Sequence, residues 1–175
     1  YPDQVKKIVA IEGLGPSPAV MEEQAKRTVD QRLRDWIEDR RKNSGRSPRR
    51  YATLDEAYAR MAEENPHLSP EQARHLTIYG AHQNEDGTYS WKFDNHSRWG
   101  MGGLSHADQH YLWSQITCPV LLMRGEESWA SDPEADGRIK HFRNARLVNF
   151  EGAGHWVHHD QLESFMAEVE GFLAE

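Results

Sequence analysis

Phe150-Glu151-Gly152-Ala153-Gly154-His155-Trp156-Val157-His158-His159-Asp160-Gln161 is the stretch on which the reading of this chain turns. Ala145 to Phe150, at its front, reads as a strand, and Leu162 to Leu173, behind it, reads as an amphipathic helix. Two glycines and an alanine let the backbone turn sharply between them, which delivers His155 at the C-terminal end of the strand. In open α/β sheets that is the edge where ligands and reacting groups collect.

Working outward, length and composition bound what this loop can belong to. A chain of 175 residues predicts one domain, or one domain with a subdomain. Hydrophobic content of 37% with a mean hydropathy of −0.87 is low for a parallel sheet covered on both faces. Cys118 stands alone, which excludes an internal disulfide and points to a reducing compartment. Its setting, Thr117-Cys118-Pro119 before Val120-Leu121-Leu122, predicts a packed thiol at the start of a buried strand. No run approaches the roughly 20 apolar residues of a membrane span, and the first residues do not read as a signal peptide. A soluble, cytoplasmic protein without membrane partners is expected.

The net charge of −7 argues against nucleic-acid binding. Lys26 to Arg50 runs the other way, with ten basic residues against four acidic ones. A solvated helix face followed by a basic loop accounts for it, since aromatic residues scarcely interleave.

Along the chain, Val5 to Ile11 reads as a short strand buried on both faces, ended by Glu12-Gly13-Leu14-Gly15-Pro16. From Ala19 the period changes: Val20, Ala25, Val29, Leu33, Trp36 and Ile37 predict one long helix to about Lys42. Thr53 with Glu56 predicts a capping box on a helix from Leu54 to Glu64, and Ser69-Pro70 opens another. Thr88 to Phe93 reads as a strand or extended arm, Gly100 to Ser105 as a glycine-rich loop, and Ser105 as the cap of a helix ending near Gln115. Strand and helix then alternate: strand Pro119 to Arg124, helix Pro133 to Phe142 capped by Asp132, strand Ala145 to Phe150, helix Leu162 to Leu173. The expected fold class is α/β, with about three parallel strands and an inserted, mostly helical subdomain. The expected boundaries are 1–17 for the first core strand, 18–115 for the insert and 116–175 for the remaining core.

Three pieces in this order resemble the C-terminal half of an α/β-hydrolase. They are Tyr1-Pro2-Asp3-Gln4-Val5-Lys6-Lys7-Ile8-Val9, Cys118-Pro119-Val120-Leu121-Leu122-Met123-Arg124-Gly125-Glu126-Glu127-Ser128, and Gly152-Ala153-Gly154-His155-Trp156-Val157-His158-His159. Within that superfamily, Trp91-Lys92-Phe93-Asp94 and Glu12-Gly13-Leu14-Gly15-Pro16 look like bacterial serine hydrolase-like proteins. The resemblance implies that Val5 to Ile11 follows the nucleophile-bearing helix and that the insert is a lid. It also implies that His155 is the last member of a nucleophile–His–acid triad. The family's Gly-x-Ser-x-Gly elbow is not in this sequence. The chain therefore reads as the back part of a hydrolase, with a nucleophile (Ser, Asp or Cys) supplied from elsewhere.

The family's usual acid lies three residues after the glycine that closes the penultimate strand. Counting from Gly125, that residue is Ser128, whose hydroxyl cannot supply the negative charge. Glu12, at the end of the first strand, is the first candidate, since some members, notably many haloalkane dehalogenases, carry the acid there; Glu127 is the second. Trp129 and Trp156 flank these residues and, with Trp91 and Trp99 of the insert, are candidates to line a hydrophobic substrate pocket. Trp36 and Trp113 read as core. His158 and His159 are expected exposed at a helix start, and His106 and His110 at the surface. No metal or organic cofactor is implied.

The expected function is cleavage of a small hydrophobic ester, or a related acyl or alkyl substrate, by a protein whose nucleophile lies outside this chain. The expected partner is the missing N-terminal half, or a second copy, because three strands alone leave an apolar edge at Val5 to Ile11. Two other readings stay open. One is a non-catalytic α/β-hydrolase-like binding protein, favoured if Glu12 lies far from His155. The other is docking of an acidic partner on Lys26 to Arg50.

Overall fold

A computed structural model of the chain describes residues 2–44, 47–93 and 105–175. In chain order its elements are β1 (Ile8–Ile11), α1 (Pro18–Ala25), α2 (Val29–Ser44), α3 (Leu54–Glu64), α4 (Pro70–Gly80), β2 (Ala81–Gln83) and β3 (Tyr89–Trp91). There follow α5 (His106–Ser114), β4 (Val120–Gly125), β5 (Ala145–Phe150), α6 (Val157–Asp160) and α7 (Leu162–Ala174), with single 3-10 turns at Pro2–Gln4 and Arg138–His141. Two compact units result: Tyr1–Lys26 with Gly103–Glu175, and Arg27–Gly102. The division falls inside the 18–115 limits drawn from sequence, so α1 and α5 go with the first unit.

The first unit is built on a parallel sheet of order β1-β4-β5, with Ile8 beside Val120 and Val120 beside Ala145. β4 is central, and Val120, Leu121, Leu122 and Met123 are all buried, as an unbroken apolar run requires when both faces are covered. β1 departs from expectation. It lies at the sheet edge, its residues are only half-buried, and Ile11 is 37% exposed. One face carries the main core: Leu121, Met123, Phe150, Ala153, Val157 and Phe172, with Val9, Val148, Phe165 and Val169 packed against it. Alternation along each strand and the four- and three-residue spacing of Phe165, Val169 and Phe172 on α7 aim these side chains at one another. Each buried Leu, Met or Phe of this kind contributes about 1.5–3 kcal/mol.

Between β4 and β5 the helix expected over Pro133 to Phe142 does not form. Asp132 does accept the main-chain N–H groups of Glu134 and Ala135 at 2.7 and 3.2 Å, as a cap would. The turn it starts is stopped at Gly137, whose φ of 83° is left-handed, and only the 3-10 turn Arg138–His141 follows. The single helix expected to Lys42 is likewise two. α1 closes at Lys26, and the Thr28 N–H is taken by the Gln31 side chain at 3.0 Å, a cap that starts α2 afresh. Cys118 is a half-buried free thiol just ahead of β4.

In the second unit α3 and α4 pack together and against the antiparallel pair β2–β3. Ala57, Ala73, Thr77, Ala81, Ser90 and Tyr51 form its buried centre. Thr53 caps α3 by accepting from Glu56 N, but the Glu56 carboxylate takes Ala52 N instead of closing the expected box on Thr53. Ser69 with Gln72 on α4, and in the first unit Ser105 with Asp108 on α5, form complete capping boxes. β2 had no sequence signal of its own; its pairing with β3 through the Asn84–Gly87 turn makes it a strand. On α2, Val29, Leu33 and Ile37 remain exposed. Of the basic run, Lys26, Arg27, Arg34 and Arg50 pair with Glu23, Asp35, Asp30 and Asp86. No helix among the described residues is long and apolar enough to cross a membrane.

His106 and His110 are half-buried, not free at the surface. The His110 ring stacks on His141 at 3.5 Å with His106 at 5.5 Å, while Trp113 stacks on Phe142 at 5.3 Å. Burial first, then the neighbouring His141 and His106, push the His110 imidazole below its ordinary value of 6.5. The folded state thus favours neutral His110, whereas the unfolded chain takes up a proton at about 6.5. Its stabilising contribution is complete above that value and is lost as pH falls from it toward the lower folded value. Thermal melts should show a lower Tm at pH 5.5 than at pH 7.5, with a smaller gap in His110→Gln; equal gaps in both proteins would refute this.

Candidate active site

Three loops of the first unit converge at the C-terminal edge of its sheet: one after β1, one after β4 and one after β5. Glu12 follows β1 directly, its N–H still bonded to Met123 O at 3.0 Å in the parallel ladder. Its φ of 49° is left-handed, and it is the one non-glycine residue so placed among the described residues. That conformation costs about 1–2 kcal/mol for an L-residue. It turns the side chain inward, where the carboxylate is 1% exposed.

A buried carboxylate is tolerable only when donors replace its water. Oε1 of Glu12 accepts from Gly125 N at 2.9 Å, and Oε2 accepts from Ser128 Oγ at 2.6 Å. His155 Nδ1 is the third donor, also to Oε2. An ionised carboxylate can only accept, which assigns the donated proton to Nδ1 and leaves Nε2 as the nitrogen available for chemistry. The ring is 35% exposed, so one nitrogen is held by the protein while the side chain reaches the surface.

The loops are knitted by main chain as well as by Glu12. Glu126 N and Glu127 N donate to Phe150 O and Ala153 O, both at 3.0 Å. Gly125 allows this approach. A Cβ there would meet Gly154 O at 2.1 Å and Ala153 O at 2.3 Å. Gly152, at φ 69°, makes the turn ahead of His155. Asp160 then accepts from Gly154 N at 2.8 Å, and Gln161 Nε2 donates to Glu151 O at 3.1 Å, closing the His155 loop.

Of the residues singled out from sequence, the structure brings together Glu12, His155, Ser128, Trp129 and Trp156. Trp129 lies 4.7 Å from the His155 ring and Trp156 meets it edge-on at 5.8 Å. Both are open to solvent, Trp129 at 82% exposure, so they flank the imidazole as bare apolar surface. Glu127 has an exposed side chain, and His155 Nδ1 is engaged by Glu12. Trp91 is in the second unit, where its indole N–H donates to Tyr51 Oη at 3.2 Å and its ring packs edge-on against Tyr51. Trp99 and the Gly100 to Leu104 loop lie outside the described residues.

His158 is half-buried rather than exposed, in ring contact with Phe165. Burial, then His159, push its imidazole below the ordinary value, against a smaller upward pull from Asp160. Among the described residues no group of three or more His, Cys, Asp or Glu is arranged to hold a metal ion. Sequence reasoning passed over two contributors. Gly125 N as a donor could be foreseen only from the strand register, and Asp160 as the brace of the loop only from the turn itself.

The fold has known counterparts. No protein-family model matches the sequence. Among solved structures, the chain superposes on E-2-(acetamidomethylene)succinate hydrolase with a TM-score of 0.71 at 22% identity, covering 100% of this chain and 60% of that one. It superposes on the thioesterase domain from the curacin biosynthetic pathway with a TM-score of 0.75 at 22% identity, over 97% of this chain and 59% of that one. An esterase of M. tuberculosis matches at 0.72 and 19% identity, over 99% and 56%. The fold is that of the α/β-hydrolases. The chain spans about 60% of the length of these proteins, in keeping with the C-terminal part of the fold. At such identities the likeness concerns the fold, and chemistry must be argued from the site.

Proposed function

We propose that this chain carries the base and acid of an α/β-hydrolase that cleaves a small hydrophobic ester or a related acyl or alkyl substrate. One observation carries the reading: a buried, threefold-donated Glu12 carboxylate held against Nδ1 of a partly exposed His155. In this reading His155 Nε2 is the general base and Glu12 orients the ring and stabilises the imidazolium. The nucleophile comes from residues outside this chain. With a serine or cysteine, Nε2 takes its proton as the nucleophile attacks the acyl carbon, then returns it to the leaving alkoxide. Water deacylates by the same route. With an aspartate, Nε2 activates the hydrolytic water. Trp129 and Trp156 provide apolar surface beside the imidazole for the substrate's acyl or alkyl part.

The test is turnover of p-nitrophenyl esters of graded acyl length by the protein that carries this chain. Hydrolysis that requires His155 supports the reading. Ester binding without turnover would favour the non-catalytic binding protein instead.

β1 at the sheet edge leads to a second proposal. One side of β1 pairs with β4, and Val5 and Ile11 near its ends are 43% and 37% exposed. Among the described residues no strand pairs with the other edge of β1, and an open apolar edge favours association. The 175-residue chain by itself is expected to elute as dimers or larger species in light-scattering chromatography at micromolar concentration. A stable monomer there would refute this.

A further inference from the structure

Glu12 sits in a strained conformation, and such a residue persists only where its surroundings over-determine it. The donors on its carboxylate are part of that restraint. A buried cation also bonds to the loop that follows it. Arg138 is 5% exposed and lies on the 3-10 turn between β4 and β5. Its Nη1 donates to Gly15 O at 3.1 Å, three residues beyond Glu12. Its Nη2 donates to Ser131 O and Ser131 Oγ at 2.9 and 2.8 Å, three residues beyond Ser128. Its Nε is held by both oxygens of Asp136 at 3.0 and 2.9 Å, and Ser131 Oγ donates to Asp136 at 2.8 Å. Burial pushes the Asp136 carboxyl up, but the hydrogen bonds from Arg138 and Ser131 outweigh it and hold the group below the ordinary carboxylate range.

We propose that Arg138 is a positioning residue: its guanidinium ties the loop carrying Glu12 to the loop carrying Ser128, and so keeps the carboxylate in line with His155 Nδ1. The inference rests on reading Glu12 as the acid partner of His155. Only a planar fork can serve both loops while being anchored along its third edge, which is why lysine is no substitute here. Space for misplacement exists. A cleft of ≈ 30 Å³ is lined by Glu12, Leu14, Gly15, Ser131, Pro133 and Arg138. Without the guanidinium, the Glu12–Gly15 turn can relax into that cleft and draw the carboxylate off the imidazole. Misplacement by about 1 Å at a distance from the chemistry can cost about a hundredfold in rate.

The experiment follows the downfield proton resonance of His155 Nδ1–H by NMR, with Glu12→Gln as the reference that removes its acceptor. Wild type should show the resonance and Glu12→Gln should not. Arg138→Lys and Arg138→Met should broaden or lose it while far-UV circular dichroism stays native. Ser131→Ala, a milder cut in the same link, should weaken it and covers the case in which the arginine variants do not fold. In the catalytically complete protein kcat should fall about tenfold with KM within twofold. A merely structural arginine would lower Tm and leave the resonance as in wild type, and that result would overturn the proposal. So would absence of the resonance from wild type, since no fixed bond would then exist to hold. If Glu12→Gln abolishes the resonance but leaves ester hydrolysis intact, the triad reading fails while the resonance still decides the role of Arg138.

Discussion

Exchanging Glu12 for glutamine in the protein that carries this chain is expected to lower kcat for ester hydrolysis by about 10⁴-fold, equivalent to about 5.5 kcal/mol of transition-state stabilisation. Glutamine matches glutamate in size, so the buried slot stays filled. It offers one oxygen and one NH₂ in place of two acceptors, whereas three donors converge there: Gly125 N, Ser128 Oγ and His155 Nδ1. The Gln NH₂ must then face a donor or turn the imidazole to the wrong tautomer, with Nε2 protonated and useless as a base. The charge that would stabilise the imidazolium is lost as well. His155→Ala removes the base outright and should lower kcat by about 10⁴–10⁶-fold. KM should change little in either variant, because neither side chain is assigned to substrate binding. Steady-state kinetics on a p-nitrophenyl ester decide it. A Glu12→Gln enzyme within tenfold of wild type would remove Glu12 from the acid's role and return attention to Glu127.

The second large effect concerns stability. Gly125→Ala places a methyl carbon 2.1 Å from Gly154 O and 2.3 Å from Ala153 O. Both obstacles are backbone. Neither can retreat cheaply, because Ala153 O accepts from Glu127 N and Gly154 N is held by Asp160. Overpacking in a well-packed site costs about 1–3 kcal/mol, and a forced backbone shift more. We expect at least about 3 kcal/mol, or a fall in Tm of roughly 6–12 °C at this chain length. Gly171 is the control. It is helical with nothing within 4 Å of an added Cβ, so Gly171→Ala should be neutral or stabilising by up to about 1 kcal/mol. Urea or thermal denaturation of the two variants beside wild type makes the comparison. Equal stability of Gly125→Ala and wild type would mean that the loops after β4 and β5 are not in contact as described. The same substitution should lower activity in whatever fraction folds, since the displaced segment leads directly into His155.

These two outcomes probe features of different legibility. Val120 to Met123 announces a central strand by an unbroken apolar run, and the structure buries all four residues. β1 looks similar in sequence yet stays half-exposed, because an apolar run does not say whether a strand is central or at the edge. Pro133 to Phe142 carries an N-cap and helical residues, but Gly137 in a left-handed conformation ends the turn, a choice that local propensity does not display. β2 becomes a strand only because β3 is there to pair with it.

Within the site the same boundary holds. The composition of Gly152 to His155 and its place after a strand mark a histidine at the sheet edge from sequence alone, since glycine turns and strand periodicity are local properties of the chain. So is the presence of an acid at the end of the first strand. Which carboxylate faces that histidine is not local: Glu12 and His155 are 143 residues apart, Glu12 and Ser128 116, and Arg138 and Gly15 123. Those distances are closed by the parallel register of β1, β4 and β5, by the backbone contact that Gly125 permits, and by the burial of the Arg138 guanidinium. Each depends on packing energy summed over the whole unit, and that sum exists only once the chain has folded.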